Sequence, residues 1–113
     1  MLWHLIKKTK NRLEMNKEKE IIEVLKSIYD PEIPVNVYDL GLIYNIEITE
    51  NNVLIKMTLT SPNCPIADVI LYQIESRIKL IEGIEEVKIE LVWEPEWNKD
   101  MISEEGQLKL GLL

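Results

Sequence analysis

Apolar positions recur along the chain in two periods, and the changes of period divide it into elements. From Glu18 to Tyr29, the residues Ile21, Ile22, Leu25, Ile28 and Tyr29 return at the spacing of one helix face, with Glu20, Glu23, Lys26 and Ser27 between them. Asp30-Pro31 should stop that helix, because proline disfavours helical backbone in the residue before it and has no N–H to donate. The period then falls to two. Leu42, Tyr44, Ile46 and Ile48 share one face of segment 42–49, with Asn45, Glu47 and Thr49 on the other beside Ile43. Glu50-Asn51-Asn52 turns the chain, and 53–60 sets Val53, Ile55, Met57 and Leu59 against Lys56, Thr58 and Thr60. Pro65 suits the first position of a second helix, whose stripe runs through Ile66, Ile70, Ile74, Ile78 and Ile81, flanked by Ala67 and Leu71, until Gly83. Val87, Ile89, Leu91 and Trp93 alternate with charged residues as a third strand. The pattern predicts an α/β chain of the two-layer α+β kind, in the order α-β-β-α-β, with a small mixed sheet and its helices on one face.

Register and crossover place the loops. If Thr49 pairs with Val53, antiparallel pairing sets Leu42 opposite Thr60, so strand one starts beside the end of strand two. A strand-helix-strand crossover between neighbouring strands makes strands two and three parallel, and the end of strand three then points to that same edge. Three irregular segments, 30–41, 61–65 and 94–100, are therefore expected to converge where α/β proteins commonly bind ligands.

With 113 residues, 46% apolar and 29% charged, the chain has the balance of one globular domain. The expected division is an N-terminal extension over 1–14, or a frayed helical turn there, and a single domain over 15–113. The net charge of −7 opposes nucleic-acid binding, which rests on cations meeting phosphates. Residues 1–14 carry a net of +3 against −10 for the rest, so a basic partner surface would suit the main domain. No apolar run is long enough to cross a membrane. A single cysteine and no visible secretory signal make a reducing cytoplasm the expected compartment.

That cysteine is the sharpest chemical feature. Cys64 precedes Pro65, and thus should cap the second helix, where free N–H groups and the helix dipole stabilise a thiolate as metal ligand or nucleophile. The plainer role is a small apolar residue at a tight turn. Asp68, one turn on, could share a metal or simply offset the dipole. Asp30, Glu32 and Asp39 are carboxylates that the edge argument brings near the thiol. Their ordinary roles are a bond at the helix end for Asp30, a solvated side chain for Glu32 and a turn organiser before Gly41 for Asp39. Trp93 and Trp97 suit packing or an interface.

The run Asp30-Pro31-Glu32-Ile33-Pro34-Val35-Asn36-Val37-Tyr38-Asp39-Leu40-Gly41-Leu42-Ile43-Tyr44 resembles the opening signature of the SufT/PaaD-like family, the domain of unknown function 59. Thr58-Leu59-Thr60-Ser61-Pro62-Asn63-Cys64-Pro65-Ile66-Ala67-Asp68 is similar to its cysteine loop, and a third match runs through Trp93, Trp97, Met101, Ser103, Glu104 and Leu110-Gly111. The resemblance covers residues 18 to 112. It departs at Asn63, where glycine is frequent, and at Glu94-Pro95-Glu96-Trp97, which replaces a more proline-rich segment.

The resemblance implies a fold like that of iron-sulfur cluster assembly domains and a non-enzymatic accessory role in assembling clusters or transferring them to apoproteins. It implies Cys64 as a transient cluster ligand, Asp30, Glu32, Asp39 and Asp68 as further site residues, and no stably bound cofactor. The expected partners are the assembly machinery and client apoproteins, with a weak homodimer as a further expectation. Two other readings stand beside it. One is an accessory subunit of a phenylacetyl-CoA-type monooxygenase complex, some of whose relatives carry additional C-terminal cysteines that this sequence lacks. The other is a thiol redox protein, for which the chain offers no second cysteine to resolve a sulfenic acid.

Overall fold

A computed structural model of the chain describes residues 12–30, 33–60 and 67–111. Helix α1 (Arg12–Leu25), strands β1 (Ile43–Thr49) and β2 (Asn52–Met57), helix α2 (Ala67–Lys79) and strand β3 (Glu86–Leu91) follow the expected order. A 3-10 turn (Lys99–Met101) and a short helix α3 (Glu104–Lys109) are added at the C-terminal end. Residues 1–11 lie outside the described residues, and with them most of the expected extension.

Helix α1 begins six residues before the apolar spacing does. Within that earlier part a polar contact leaves no apolar signal: the Lys17 ammonium donates to the Glu50 carbonyl and to Asn51 Oδ1, each at 3.2 Å. The helix also stops at Leu25, short of the expected Tyr29. Tyr29 forms an isolated antiparallel bridge with Asn36, which requires extended backbone. Ile21, Leu25 and Ile28 are buried as the spacing predicts, whereas Tyr29 is 52% exposed, with the Lys109 ammonium 5.9 Å from its ring centre.

The sheet runs β1-β2-β3, antiparallel between β1 and β2 and parallel between β2 and β3. The hairpin is one residue tighter than expected: Thr49 pairs with Asn52 and Ile48 with Val53, across a turn in which Glu50 adopts φ 57°. Directly opposed residues share a face, so pairing Thr49 with Val53 would have put a polar residue on the buried side. The observed register puts Ile48 there. A second departure follows at the other end, where Ile43 pairs with Met57 but Asn45 with Lys56. Tyr44 is thus the extra residue of a β-bulge, and Ile43 takes the core-facing place expected of Tyr44. Leu42 consequently meets Thr58, whose N–H donates to the Leu42 carbonyl at 2.9 Å, and not Thr60.

Helices α1 and α2 cover the same face of this sheet. Ile21 and Leu25, Ile70, Ile74 and Ile78, and Val53, Ile55, Met57 and Val87 form one cluster. The stripe expected on α2 is buried at Ile70, Ile74 and Ile78 and half-buried at Ile81; Ile66 falls outside the described residues. Val35, Val37, Leu40 and Leu42 join the same cluster with no exposed surface. The segment between α1 and β1 is therefore a packed part of the core as well as a connection.

Gly41 ends that segment at φ 80°, and a Cβ there would lie 2.3 Å from the Met101 carbonyl oxygen. Positive φ and a backbone clash both exclude a side chain. Gly41→Ala should lower stability by about 2–4 kcal/mol, measured as a shift of the chemical-denaturation midpoint with an unchanged slope.

Candidate functional site

The first converging segment is wound tightly by its own backbone. The Val35 N–H donates to the Ile33 carbonyl at 2.7 Å, Val37 to Ile28 at 2.8 Å, and Leu40 to Asn36 at 3.0 Å. With the backbone curled back on itself, Asn36 and Asp39 close a reciprocal pair. The Asp39 N–H donates to Asn36 Oδ1 at 2.8 Å, and Asn36 Nδ2 donates to Asp39 Oδ2 at 2.7 Å.

The second carboxylate oxygen of Asp39 reaches across the chain. Ser103 Oγ donates to Asp39 Oδ1 at 2.9 Å, and the Ser103 N–H donates to the Asp39 carbonyl at 2.7 Å. Ser103 also caps α3, its Oγ accepting from the Gly106 N–H at 3.1 Å. A Cβ at Gly106 would stand 2.7 Å from the Ile102 side chain and 3.2 Å from the Asp39 carbonyl oxygen, so the absence of a side chain there permits α3 to dock this closely. Asp39 is only 4% exposed, and both its oxygens are bonded. A buried carboxylate satisfied in this way is a strong structural tie, because charge-assisted bonds exceed neutral ones and any missing partner leaves a costly charge behind.

The third segment closes on the first. The Trp97 indole N–H donates to the Leu40 carbonyl at 2.7 Å, the Tyr44 hydroxyl donates to the Pro95 carbonyl at 2.7 Å, and the Val92 N–H donates to the Met57 carbonyl at 2.8 Å. Segments 30–41 and 94–100 thus meet at the edge the topology assigned to them. Against them opens a recess of about 190 Å³ lined by Thr58, Leu59, Thr60, Trp93, Glu96 and Trp97. Burial raises the pKa of Tyr44 above its ordinary 10.0, because desolvation penalises the phenolate.

Of the five residues singled out in the sequence, the described structure contains three. Asp30, 5% exposed, accepts the Ile33 N–H at 3.1 Å and shares the first segment with Asp39. Asp68 lies on a separate element, in the exposed first turn of α2. Cys64 and Glu32 lie outside the described residues, as does the capping place expected of Cys64. Among the described residues no three of His, Cys, Asp and Glu gather as a metal site. Asn36 and Ser103 were not singled out as organisers. Their signals are local: Asn-x-x-Asp is a turn spacing, and Ser103 is followed by Glu104 and Glu105 in the manner of a helix start.

The family model described as iron-sulfur cluster assembly protein matches residues 18–91, and the chain belongs to that family. An Fe-S protein maturation auxiliary factor of Porphyromonas gingivalis is 54% identical over 97 residues, covering 85% of this chain and 92% of the relative. The Fe-S protein maturation auxiliary factor SufT of Staphylococcus aureus is 34% identical over 86 residues, 75% of this chain and 98% of the relative. The crystal structure of a domain of unknown function from Bacillus anthracis superposes with a TM-score of 0.82 at 29% identity, covering 91% of this chain and all of that one.

Two expectations follow from the geometry. Asp39→Ala should cost about 2–4 kcal/mol and Ser103→Ala about 1–2 kcal/mol, with the double mutant less destabilised than their sum; equilibrium unfolding of the four proteins gives the coupling. Asp39→Asn should not substitute silently, since its amide would turn a donor toward one of the donors that the carboxylate now accepts. For Tyr44, a folded pKa above the unfolded value means that its contribution to stability is complete below pH 10 and is lost as pH rises through the folded pKa. The difference in phenolate absorbance between the wild type and Tyr44→Phe should have its midpoint above 10.0.

Proposed function

We propose that this member of the iron-sulfur cluster assembly family is an accessory factor that helps to deliver clusters to apoproteins, with Cys64 as the thiolate that meets the cluster. The observation carrying this reading is the cysteine's position in the chain. In sequence it lies four residues after Thr60, which itself lines the recess, and three before Ala67, the first residue of α2. Covalent geometry alone keeps it within about 14 Å of Thr60. A thiol just ahead of a helix meets the positive end of its dipole, which favours the thiolate. The relatives named as Fe-S protein maturation auxiliary factors support the same reading.

The cluster is cargo here. Iron-sulfur clusters are commonly held by four thiolates, and this chain has one cysteine. The remaining ligands would come from a second chain, a client, an external thiol, or oxygen donors. Asp68, exposed in the first turn of α2, suits that last role. Asp30, bonded within the first segment, and Asp39, bonded there and to Ser103, shape the site, and Glu32 lies two residues after Asp30 in sequence as a further carboxylate. Such a partial ligand set makes binding labile, which suits transfer better than permanent redox service. The assembly machinery and client apoproteins are the partners in this reading, a weak homodimer is its oligomeric form, and the cytoplasm is its setting.

Cys64→Ala should leave cooperative unfolding within about 1 kcal/mol of wild type while abolishing maturation of client enzymes in a deletion strain. Normal client activity supported by the mutant at wild-type abundance would refute the assignment. Anaerobic reconstitution should give at most about one cluster per two chains, measured by iron and sulfide analysis with light scattering; a stable cluster in every monomer that survives Cys64→Ala would defeat it as well.

A further inference from the structure

The recess beside β2 has features that cluster ligation does not require. Its walls are two tryptophans, Trp93 and Trp97, with Leu59 and the hydroxyl-bearing Thr58 and Thr60. Trp97 is a fixed wall, held by its bond to the Leu40 carbonyl. Trp93 is different: it lies two residues beyond the end of β3 and is 45% exposed. Tryptophan left this open contributes little to the core, and in interfaces it is among the residues most often carrying binding energy.

Volume and charge narrow the occupant. At about 190 Å³ the recess is smaller than the roughly 300–1,000 Å³ of sites for whole small-molecule ligands. It is of a size for one large apolar side chain. Glu96 lines its mouth, and Glu94, also exposed, flanks Trp93 in sequence. The chain as a whole carries −7, so both the rim and the long-range field favour a cation next to that apolar group.

We infer that this recess is a docking site for a protein partner, taking one large apolar side chain flanked by lysine or arginine. The inference deepens the proposed delivery role by separating two tasks at one edge: partner recognition by the tryptophan recess and cluster contact by Cys64. Trp97 links recognition to the rest of the site, since the segment carrying it is fastened to Leu40, next to Asp39.

The test uses the full chain, labelled with nitrogen-15, and three acetylated and amidated tripeptides. Lysine-phenylalanine-lysine should shift the Trp93 indole N–H resonance saturably. Glutamate-phenylalanine-glutamate and lysine-alanine-lysine should bind at least fivefold more weakly. Read from the Trp97 indole resonance, Trp93→Ala should weaken the lysine-phenylalanine-lysine peptide about tenfold or more, and Glu96→Lys should narrow or invert the preference for lysine over glutamate flanks. Both substitutions fall at exposed positions, so the fold should survive them, as the unchanged dispersion of the remaining resonances would verify. Equal binding of the lysine and glutamate peptides, or undiminished binding to Trp93→Ala, would overturn the proposal. None of these measurements involves Cys64, so their failure is distinct from failure of the delivery role, which the client-maturation assay decides.

Discussion

The edge of this protein depends on one buried carboxylate. Asp39 joins its own turn through Asn36 and the C-terminal segment through Ser103. Removing a carboxylate from water is unfavourable, and the offset here comes from donors on two parts of the chain that lie far apart in sequence. Leu40, which accepts the Trp97 indole N–H at the wall of the recess, is the next residue along the chain after Asp39. The tie also separates two meanings of an acidic residue in a motif. A carboxylate can meet a ligand or fasten a loop, and the bonds to both oxygens of Asp39 do the fastening here.

The sheet supplies the frame. Strand β2 pairs with both neighbours and contributes Val53, Ile55 and Met57 to the core, so the position of Thr58 through Thr60 is inherited from the best-buried strand. The chain leaves β2 toward the cysteine loop and leaves β3, parallel to it, toward Trp93. Parallel pairing is therefore what brings the exit of β2, through Thr60, and the tryptophan segment to one end. An antiparallel β3 would have separated them by the length of the sheet.

Much of this was legible in the sequence, because burial on one face imposes a period that residues must obey. The helical stripe through Ile70, Ile74 and Ile78 and the alternation of Val53, Ile55 and Met57 are direct records of that constraint. The convergence of the first and third segments followed from topology alone. What escaped has a different physical origin. The bulge at Tyr44 is invisible to a period of two, since it is the point where the period breaks. The part of α1 ahead of Glu18 carries the polar tie of Lys17 and no apolar stripe, the core role of Val35, Val37 and Leu40 belongs to an irregular segment with no period, and α3 is too short to show one. The Asp39–Ser103 bond joins residues 64 positions apart, and no local pattern encodes it.

Helix α3 has only six residues, fewer than an isolated helix needs to persist in water. Its helicity is therefore conditional on docking: the Ser103 hydroxyl that caps it is the same group that bonds Asp39, and Gly106 sits against the Asp39 carbonyl. Undocking would take from the Ser103 cap its anchor on Asp39, and unwinding would remove the docked surface, so each favours the other. The folding of α3 and its docking on Asp39 are consequently coupled. Amide exchange at Gly106 and Leu110 then reports the integrity of the functional edge, although neither residue lines the recess.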